Sequence, residues 1–202
     1  MEQLERAAAG FRKRGIEARV FESGREAVLA LAGAVDPGET VAFGGSVTLQ
    51  TLGAYEALQE RGASVLWHWR ATPEEAARIR QEALRADTYV TSSNAVIADG
   101  RLLNTDGTGN RVAAMFFGPP RVIVIAGRNK LVSDYETAVE RIRTVAAPMN
   151  AQRLNRDLPC RATGRCQDCR SPQRMCQVTV LLENRLDGRA VEVWLVNEDL
   201  GY

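Results

Sequence analysis

The chain has 202 residues, of which 45% are hydrophobic and 25% are charged, so one well-buried core with space for a small appended subdomain is expected. The net charge of +1 argues against a nucleic-acid or membrane-surface protein. The N-terminal segment lacks the apolar stretch of a secretory signal, and no run of about eighteen apolar residues could span a bilayer. We therefore expect a cytoplasmic protein in a reducing compartment, where clustered cysteines bind metal more often than they form disulfides.

Predicted helices and strands alternate through the first half of the chain. In chain order they are a helix at 2–14, a strand at 16–21, a helix at 24–35, a strand at 40–45, a helix at 46–62, a strand at 63–69 and a helix at 72–86. The last of these helices has Thr72 as its cap and Pro73 at its first position, which is a typical helix start.

The second half continues the alternation and then changes character. The predicted elements are a strand with a hairpin at 87–107, a helix at 108–118, a strand at 119–127, a helix at 133–145, and two strand-like runs at 177–184 and 189–196. Alternating elements with strands apolar on both faces predict an α/β fold with a mainly parallel sheet. We expect one domain over 1–202, with an α/β core at 1–155 followed at 156–202 by a cysteine loop and an antiparallel C-terminal hairpin.

A glycine-rich turn follows the strand at 40–45. Gly44 and Gly45 end the strand, and Ser46 and Thr48 lead into the next helix. Such a turn directs backbone N–H groups and the positive end of a helix toward one spot, which suits a phosphate or a carboxylate. The alternative is that the glycines only make a tight turn and that Ser46 caps the helix.

A second glycine-polar loop, NTDGTGNR at 104–111, precedes another predicted helix. So many polar groups between apolar segments are costly unless they bond to each other or to a ligand. The alternative is a solvated loop in which Asp106 caps the helix. Two such loops in one small α/β domain favour a shared cleft.

Lys130 follows the most apolar strand, and Lys13 is the only other lysine beside 24 arginines. A retained lysine indicates that a compact charge is useful there, although a solvated cation at the strand end is the alternative.

His68, the only histidine, lies between two tryptophans on a predicted strand. Without a second histidine or a nucleophile elbow, we expect it to be packed or hydrogen-bonded rather than catalytic.

All four cysteines fall within seventeen residues, with the spacing C-x5-C-x2-C-x6-C: Cys160, Cys166, Cys169 and Cys176. The central pair can hold one ion or one face of a cluster, and the outer cysteines lie close enough to complete the ligand set. With no histidine nearby, an all-thiolate site fits a [4Fe–4S] cluster or a structural zinc, and free thiols or disulfides are the third alternative.

Several motifs together resemble the LUD family, named for lactate-utilisation proteins B and C. They are FGGSVTLQTLG (43–53), NAVIADGRLLNTDGTGNRVAAMFFGPPRVIVIAGRNKLV (94–132), AAPMNAQRL (146–154) and the final VNEDLGY (196–202). The chain is similar to short, stand-alone members, with the four-cysteine loop as an addition. The resemblance implies a fold similar to the ribose-phosphate isomerase and CoA-transferase-like superfamily, whose members bind anionic substrates at glycine-rich turns.

The resemblance further implies that the candidate ligand residues line one cleft. They are Gly44, Gly45, Ser46, Thr48, Asn94, Asp106, Gly107, Thr108, Gly109, Asn110, Arg111 and Lys130. The catalytic acids of the isomerases and transferases have no recognisable counterpart here, so no catalytic residue is assigned.

The function that these observations favour is the binding of a small carboxylate or phosphate in lactate or similar organic-acid metabolism. A [4Fe–4S] cluster would transfer electrons within a multi-subunit oxidoreductase. One alternative is a stand-alone isomerase or transferase with a structural zinc or cluster. Another is a redox-sensing regulatory or assembly protein. The expected partners are oxidoreductase subunits, with neither nucleic acid nor membrane, and self-association stays open.

Overall fold

The computed structural model describes residues 1–202. Nine α-helices and ten strands follow one another in chain order: α1 Glu2–Lys13, β1 Glu17–Phe21, α2 Gly24–Gly33, β2 Thr40–Phe43, α3 Val47–Thr51, α4 Ala54–Glu60, β3 Ser64–Leu66, α5 Pro73–Glu82, β4 Thr88–Thr91, β5 Ala95–Ile97, β6 Arg101–Asp106, α6 Asn110–Phe117, β7 Arg121–Gly127, β8 Leu131–Val132, α7 Tyr135–Arg141, α8 Ala147–Arg153, α9 Pro159–Thr163, β9 Val178–Leu182 and β10 Ala190–Val196. No helix combines the length and the apolar character that crossing a membrane requires.

Six parallel strands form the large sheet, in the order β1-β10-β7-β4-β2-β3. β7 is apolar on both faces, which explains its central place. Val122 and Val124 belong to the core cluster that includes residues of α1 and α6, whereas Ile123 and Ile125 belong to the cluster that includes residues of α2, α3 and α4. The predicted α/β fold with a mainly parallel sheet is therefore confirmed.

Four short strands form a second sheet, in the order β8-β5-β6-β9. The predicted hairpin at Asp99-Gly100 is present as β5 and β6, and Gly100 has a φ of 93°, where a glycine is favoured. Residues of α7 pack against the apolar side of this sheet in a small core cluster of their own. The other side of the second sheet contributes Val96, Leu102 and Leu182 to the large core cluster that includes residues of β7, so the sheet lies between α7 and that cluster.

The predicted C-terminal hairpin is wrong. β9 pairs with β6 in the second sheet, whereas β10 lies between β1 and β7 in the large sheet. The burial of the two strands explains the difference, because β9 is half exposed and suits a sheet edge, whereas β10 is buried on both faces. The α/β core is consequently not complete at residue 155, since residues 190–196 supply one of its central strands.

The helical segment after β8 is longer than the sequence pattern predicts. Asp134 rather than Ser133 caps α7, and its carboxylate accepts a hydrogen bond from the Thr137 N–H. The chain then passes through a π-helical turn at Ile142–Ala146 directly into α8. This continuation carries α8 across the carboxyl end of the large sheet, beside the functional cavity described below.

Candidate functional site

A cavity of about 440 Å³ opens at the carboxyl ends of the parallel strands. Gly45 follows β2, Ser92 follows β4, Lys130 follows β7, and Tyr202 follows β10, and all four residues line it. Because the strands are parallel, the segments that follow them meet at one edge, where open α/β sheets bind their ligands. α8 and the cysteine loop form the opposite wall through Asn150 and other residues.

Most of the predicted ligand residues meet in this cavity. Gly44, Thr48 and Gly109 do not line it. The nine that do are Gly45, Ser46, Asn94, Asp106, Gly107, Thr108, Asn110, Arg111 and Lys130. The three segments that the sequence pattern singled out therefore face one another in the structure.

The glycine pair has a packing role. A Cβ on Gly44 would overlap the Thr91 hydroxyl, and one on Gly45 would lie 2.9 Å from Trp69 Nε1. Ser46 caps α3, its hydroxyl accepting a hydrogen bond from the Leu49 N–H at 3.3 Å, and α3 has only five residues. The tight-turn alternative thus describes these residues better than an anion cradle built on the start of a helix.

In the NTDGTGNR loop, the carboxylate of Asp106 contacts the start of α6. Asp106 Oδ2 accepts hydrogen bonds from the N–H groups of Arg111 at 3.0 Å and Val112 at 3.2 Å, and Oδ1 accepts one from the Gly107 N–H at 3.1 Å. This agrees with the alternative that Asp106 satisfies the start of the helix, although the N-cap residue itself is Gly109. Asp106 occupies the N–H groups of Arg111 and Val112, which leaves the side-chain cations as the main candidates for anion binding.

Arg111 is a buried cation whose hydrogen-bond partners are neutral. Its Nη1 donates to Asn104 Oδ1 and, at 3.2 Å, to the Ser92 carbonyl. Its Nη2 donates at 3.0 Å to both Asn94 Oδ1 and the Thr105 carbonyl. Because these partners carry no negative charge, the guanidinium is held firmly while its positive charge still acts on the cavity.

Lys130 is a second buried cation of the same kind. Only 3% of the residue is exposed, and its Nζ donates to the Thr48 hydroxyl at 2.9 Å and the Ser92 hydroxyl at 3.0 Å. Burial, followed by the nearby positive charges of Arg141 and Arg111, lowers the pKa of Lys130 to about 7. The predicted alternative of a solvated strand-end cation is therefore wrong, since the amine lies inside the protein.

Four further arginines, which the sequence pattern did not indicate, complete the charged lining. They are Arg80, Arg153, Arg156 and Arg174. Together with Arg111 and Lys130 they give six basic side chains around the cavity, against the single carboxylate side chain of Asp106 in its lining; Arg174 also pairs at 2.9 Å with Asp168, which does not line the cavity. The cavity therefore carries a strong excess of positive charge, which favours an anionic ligand.

Arg153 is held in place on the far wall by an aromatic ring and a phenol. Its guanidinium carbon lies 4.3 Å from the centre of the Trp69 ring, and its Nε donates to the Tyr202 hydroxyl at 2.8 Å. The Tyr202 hydroxyl in turn donates to Asn150 Oδ1 at 2.8 Å. This arrangement links α8 to the segment that follows β10.

His68 lines the cavity rather than a strand face. β3 ends at Leu66, so Trp67 and Trp69 follow the strand and stack on each other with their ring centres 5.5 Å apart. Burial is the largest cause that lowers the pKa of His68 to about 4; the positive charges of Arg80 and Arg153 act in the same direction, and Asp106 opposes them. The imidazole is neutral at physiological pH and adds no charge to the cavity.

The four predicted metal-binding cysteines line one small second cavity, and all are free thiols. No three potential ligand side chains, however, come close enough together to hold a single metal ion. Burial, followed by the neighbouring cysteines, raises the pKa of the Cys160 and Cys176 thiols. The cysteines therefore converge around a common space without forming a compact tetrahedral group.

The two cavities share a wall. Ala147, Arg174, Met175 and Cys176 line both of them. Arg174 braces the cysteine loop, because its guanidinium donates to the carbonyls of Cys169 at 2.6 Å and Cys176 at 2.9 Å. The loop also touches the polar loop after β6, where a Cβ on Gly107 would lie 3.0 Å from the Met175 carbonyl oxygen.

Comparison with known proteins places this architecture in a family. The LUD domain model matches residues 4–195. The chain belongs to the LUD domain family. The resemblance seen in the sequence motifs is thereby confirmed over nearly the whole chain. No curated protein matches this LUD chain significantly.

Two solved structures are similar to the LUD chain. A DUF162 family protein from Deinococcus radiodurans has 17% sequence identity and a TM-score of 0.56, with 96% of each chain covered. The translation initiation factor eIF-2B from Pyrococcus horikoshii OT3 has 16% identity and a TM-score of 0.39, covering 54% of this chain and 47% of the other. The similarity to the DUF162 protein extends over both sheets of the LUD chain and bears on the fold alone.

Proposed function

We propose that this LUD protein binds a small carboxylate or phosphate in the cavity at the carboxyl end of its large sheet, in lactate or similar organic-acid metabolism. We further propose that its cysteine loop carries a [4Fe–4S] cluster that exchanges electrons as part of an oxidoreductase with partner subunits. The observation that supports the proposal most strongly is the set of six cations facing one carboxylate around the cavity.

The charge balance around the cavity supports an anionic ligand. Two unit charges about 4 Å apart interact by about 4 kcal/mol at an effective dielectric constant of about 20. Arg111 and Lys130 are buried and their hydrogen-bond partners are neutral, so solvent screens them weakly and an anion would provide the missing counter-charge. A cation in the same place would meet repulsion from both residues.

The cysteine loop suits a cluster better than a single ion. A zinc–sulfur bond of about 2.3 Å brings tetrahedral thiolates within roughly 3.8 Å of one another, which is a compact group. A [4Fe–4S] cluster binds each thiolate to a different iron and so accepts a wider set of sulfurs. The four cysteines surround a common cavity without forming the compact group, which argues against a single tetrahedral ion and is compatible with the wider cluster that we propose.

The shared wall favours a functional connection between the two sites. Such a cluster supplies one-electron transfer, whereas zinc would only brace the loop. Cys176 and Met175 border both cavities, so a ligand in the larger cavity would lie directly beside the cysteine ligands. This proximity supports redox coupling to the bound ligand rather than a cluster that only holds the fold together.

Anaerobic purification, followed by an absorption spectrum and metal analysis, tests the metal proposal. We expect a broad brown band near about 400 nm with about four irons per chain. The variant Cys169→Ser removes one central ligand, and Ser171→Ala, two residues away, is the matched control that leaves every cysteine in place. Stoichiometric zinc without colour, or iron that persists in the Cys169→Ser variant, would contradict the cluster.

A further inference from the structure

Lys130 has no counter-ion although it is buried. None of the ion pairs in the structure includes it. Its Nζ contacts only the hydroxyl groups of Thr48 and Ser92, and the charged groups that act on it, Arg111 and Arg141, are both positive. Desolvation beside other cations is the setting in which a lysine amine becomes a neutral nucleophile.

The pKa of about 7 places this amine in the reactive range. Near pH 7 about half of the molecules would carry a free Lys130 amine, whereas an ordinary lysine with a pKa near 10.4 is neutral in fewer than about one molecule in a thousand. The five other cations of the cavity are arginines, which stay protonated and cannot act in this way. The single lysine is therefore the only side chain of the charged lining that could attack a carbonyl carbon.

We propose that the Lys130 amine forms an imine with a small carbonyl compound that also bears a carboxylate or phosphate group. The proposal rests on the anion-binding function proposed above and deepens it by naming the substrate class. The arginines would hold the anionic group, and the amine would meet the carbonyl carbon of the same molecule. A cavity of about 440 Å³ suits a compound of this small size.

The step balances without a co-reactant. The Nζ lone pair attacks the carbonyl carbon to form a C–N bond, and the carbonyl oxygen leaves as water with the two hydrogens of the amine. The Thr48 hydroxyl donates to the Leu200 carbonyl at 3.0 Å, so toward Lys130 it acts as an acceptor. The Ser92 hydroxyl has no acceptor of its own and lines the cavity, so it can pass a proton to the departing oxygen.

Reductive trapping tests the proposal. The full-length protein is incubated near pH 7 with sodium cyanoborohydride and either pyruvate or dihydroxyacetone phosphate, and the products are mapped by peptide mass spectrometry. We expect a mass increase equal to that of the probe less one oxygen atom, on Lys130. Lys13 is the only other lysine and is exposed, so every sample contains its own control.

The expected result is that Lys130 is modified at least about tenfold more than Lys13, and that excess inorganic phosphate slows the reaction. Trapping of pyruvate assigns the anion as a carboxylate, trapping of dihydroxyacetone phosphate assigns it as a phosphate, and trapping of both leaves a site that accepts either. Lys130→Met should abolish the adduct, and the wild-type peptide map decides the question even if that variant fails to fold.

No adduct on Lys130 with either probe, or equal modification of Lys13 and Lys130, would overturn the imine. Calorimetric titration of the same probes and of inorganic phosphate separates this failure from a failure of the anion site. Binding without trapping refutes the imine and leaves the proposed anion-binding function intact. No binding of any probe refutes the anion site itself.

Discussion

Replacing Lys130 with methionine tests whether burial of the lysine amine destabilises the folded protein in a pH-dependent way. The pKa of Lys130 is lowered from its ordinary 10.5 to about 7 by burial and by two neighbouring arginines. Between these pH values the unfolded chain binds one proton more than the folded protein, so this lysine makes stability rise with pH. Below about pH 7 both states are protonated and the full cost of burying the charge is present. Methionine has a similar length and no charge, so the variant should lose this pH dependence.

The magnitude follows from the pKa difference. Each unit is worth about 1.4 kcal/mol, and the group is half-titrated at pH 7 in the folded protein. From pH 7 to pH 9 the wild-type protein should therefore gain about 2 kcal/mol relative to Lys130→Met. At pH 7 the variant should be the more stable of the two, because the cost of burying the lysine exceeds the loss of two hydrogen bonds to the hydroxyls of Thr48 and Ser92.

Urea unfolding of both proteins at pH 6, 7, 8 and 9 measures the difference directly, with equal m-values as the check on two-state behaviour. Because the other titrating groups are common to both proteins, their contributions cancel. Lys13→Met, at an exposed position, is the matched control. A stability difference that changes by less than about 0.5 kcal/mol from pH 7 to pH 9, or an equal change in the control, would refute the burial of an uncompensated lysine.

Two further predictions concern the cavity wall and the cysteine loop. Arg153→Gln should weaken the binding of phosphate or pyruvate about tenfold in calorimetric titrations, whereas Arg6→Gln, at an exposed position of α1, should not, and equal effects would contradict the assigned role of α8. Iron uptake by the metal-free protein during anaerobic cluster reconstitution, followed as absorbance at about 400 nm, should increase from pH 6 to pH 8, because the raised pKa of Cys160 and Cys176 keeps both thiols protonated at the lower pH. Uptake that does not change with pH would contradict that protonation.

The location of the cavity was predicted best for the segments that follow strands of the parallel sheet. The polar segments after β2 and β7 could be placed together because parallel strands end at one edge of the sheet, whereas the segment after β6, which belongs to the second sheet, was assigned to the same cleft from its glycine-polar composition. Nine of the twelve predicted residues line the cavity. Their detailed roles were less accessible. The sequence pattern offered the contact of Asp106 with the start of α6 only as an alternative, and it could not show that Gly44 is needed for packing against Thr91.

The features that the sequence did not predict depend on contacts between residues that are distant in the chain. The runs that form β9 and β10 are neighbours in the chain with a turn between them, which predicts a hairpin, but the choice of partner strands depends on burial against distant residues. Arg80, Arg153 and Arg174 come from α5, α8 and the cysteine loop, and only the fold brings them to one cavity. In a chain with 24 arginines, none of them stands out by residue type.

Calorimetric titration of the wild-type protein with inorganic phosphate and with pyruvate tests the central claim of an anion-binding cavity. We predict saturable binding at one site per chain with a dissociation constant below about 1 mM, equivalent to about 4 kcal/mol, that weakens as salt is added. The same titration of the double variant Lys130→Met with Arg153→Gln should show no saturation. Absence of saturable binding to the wild-type protein, or equal binding to the double variant, would contradict the account.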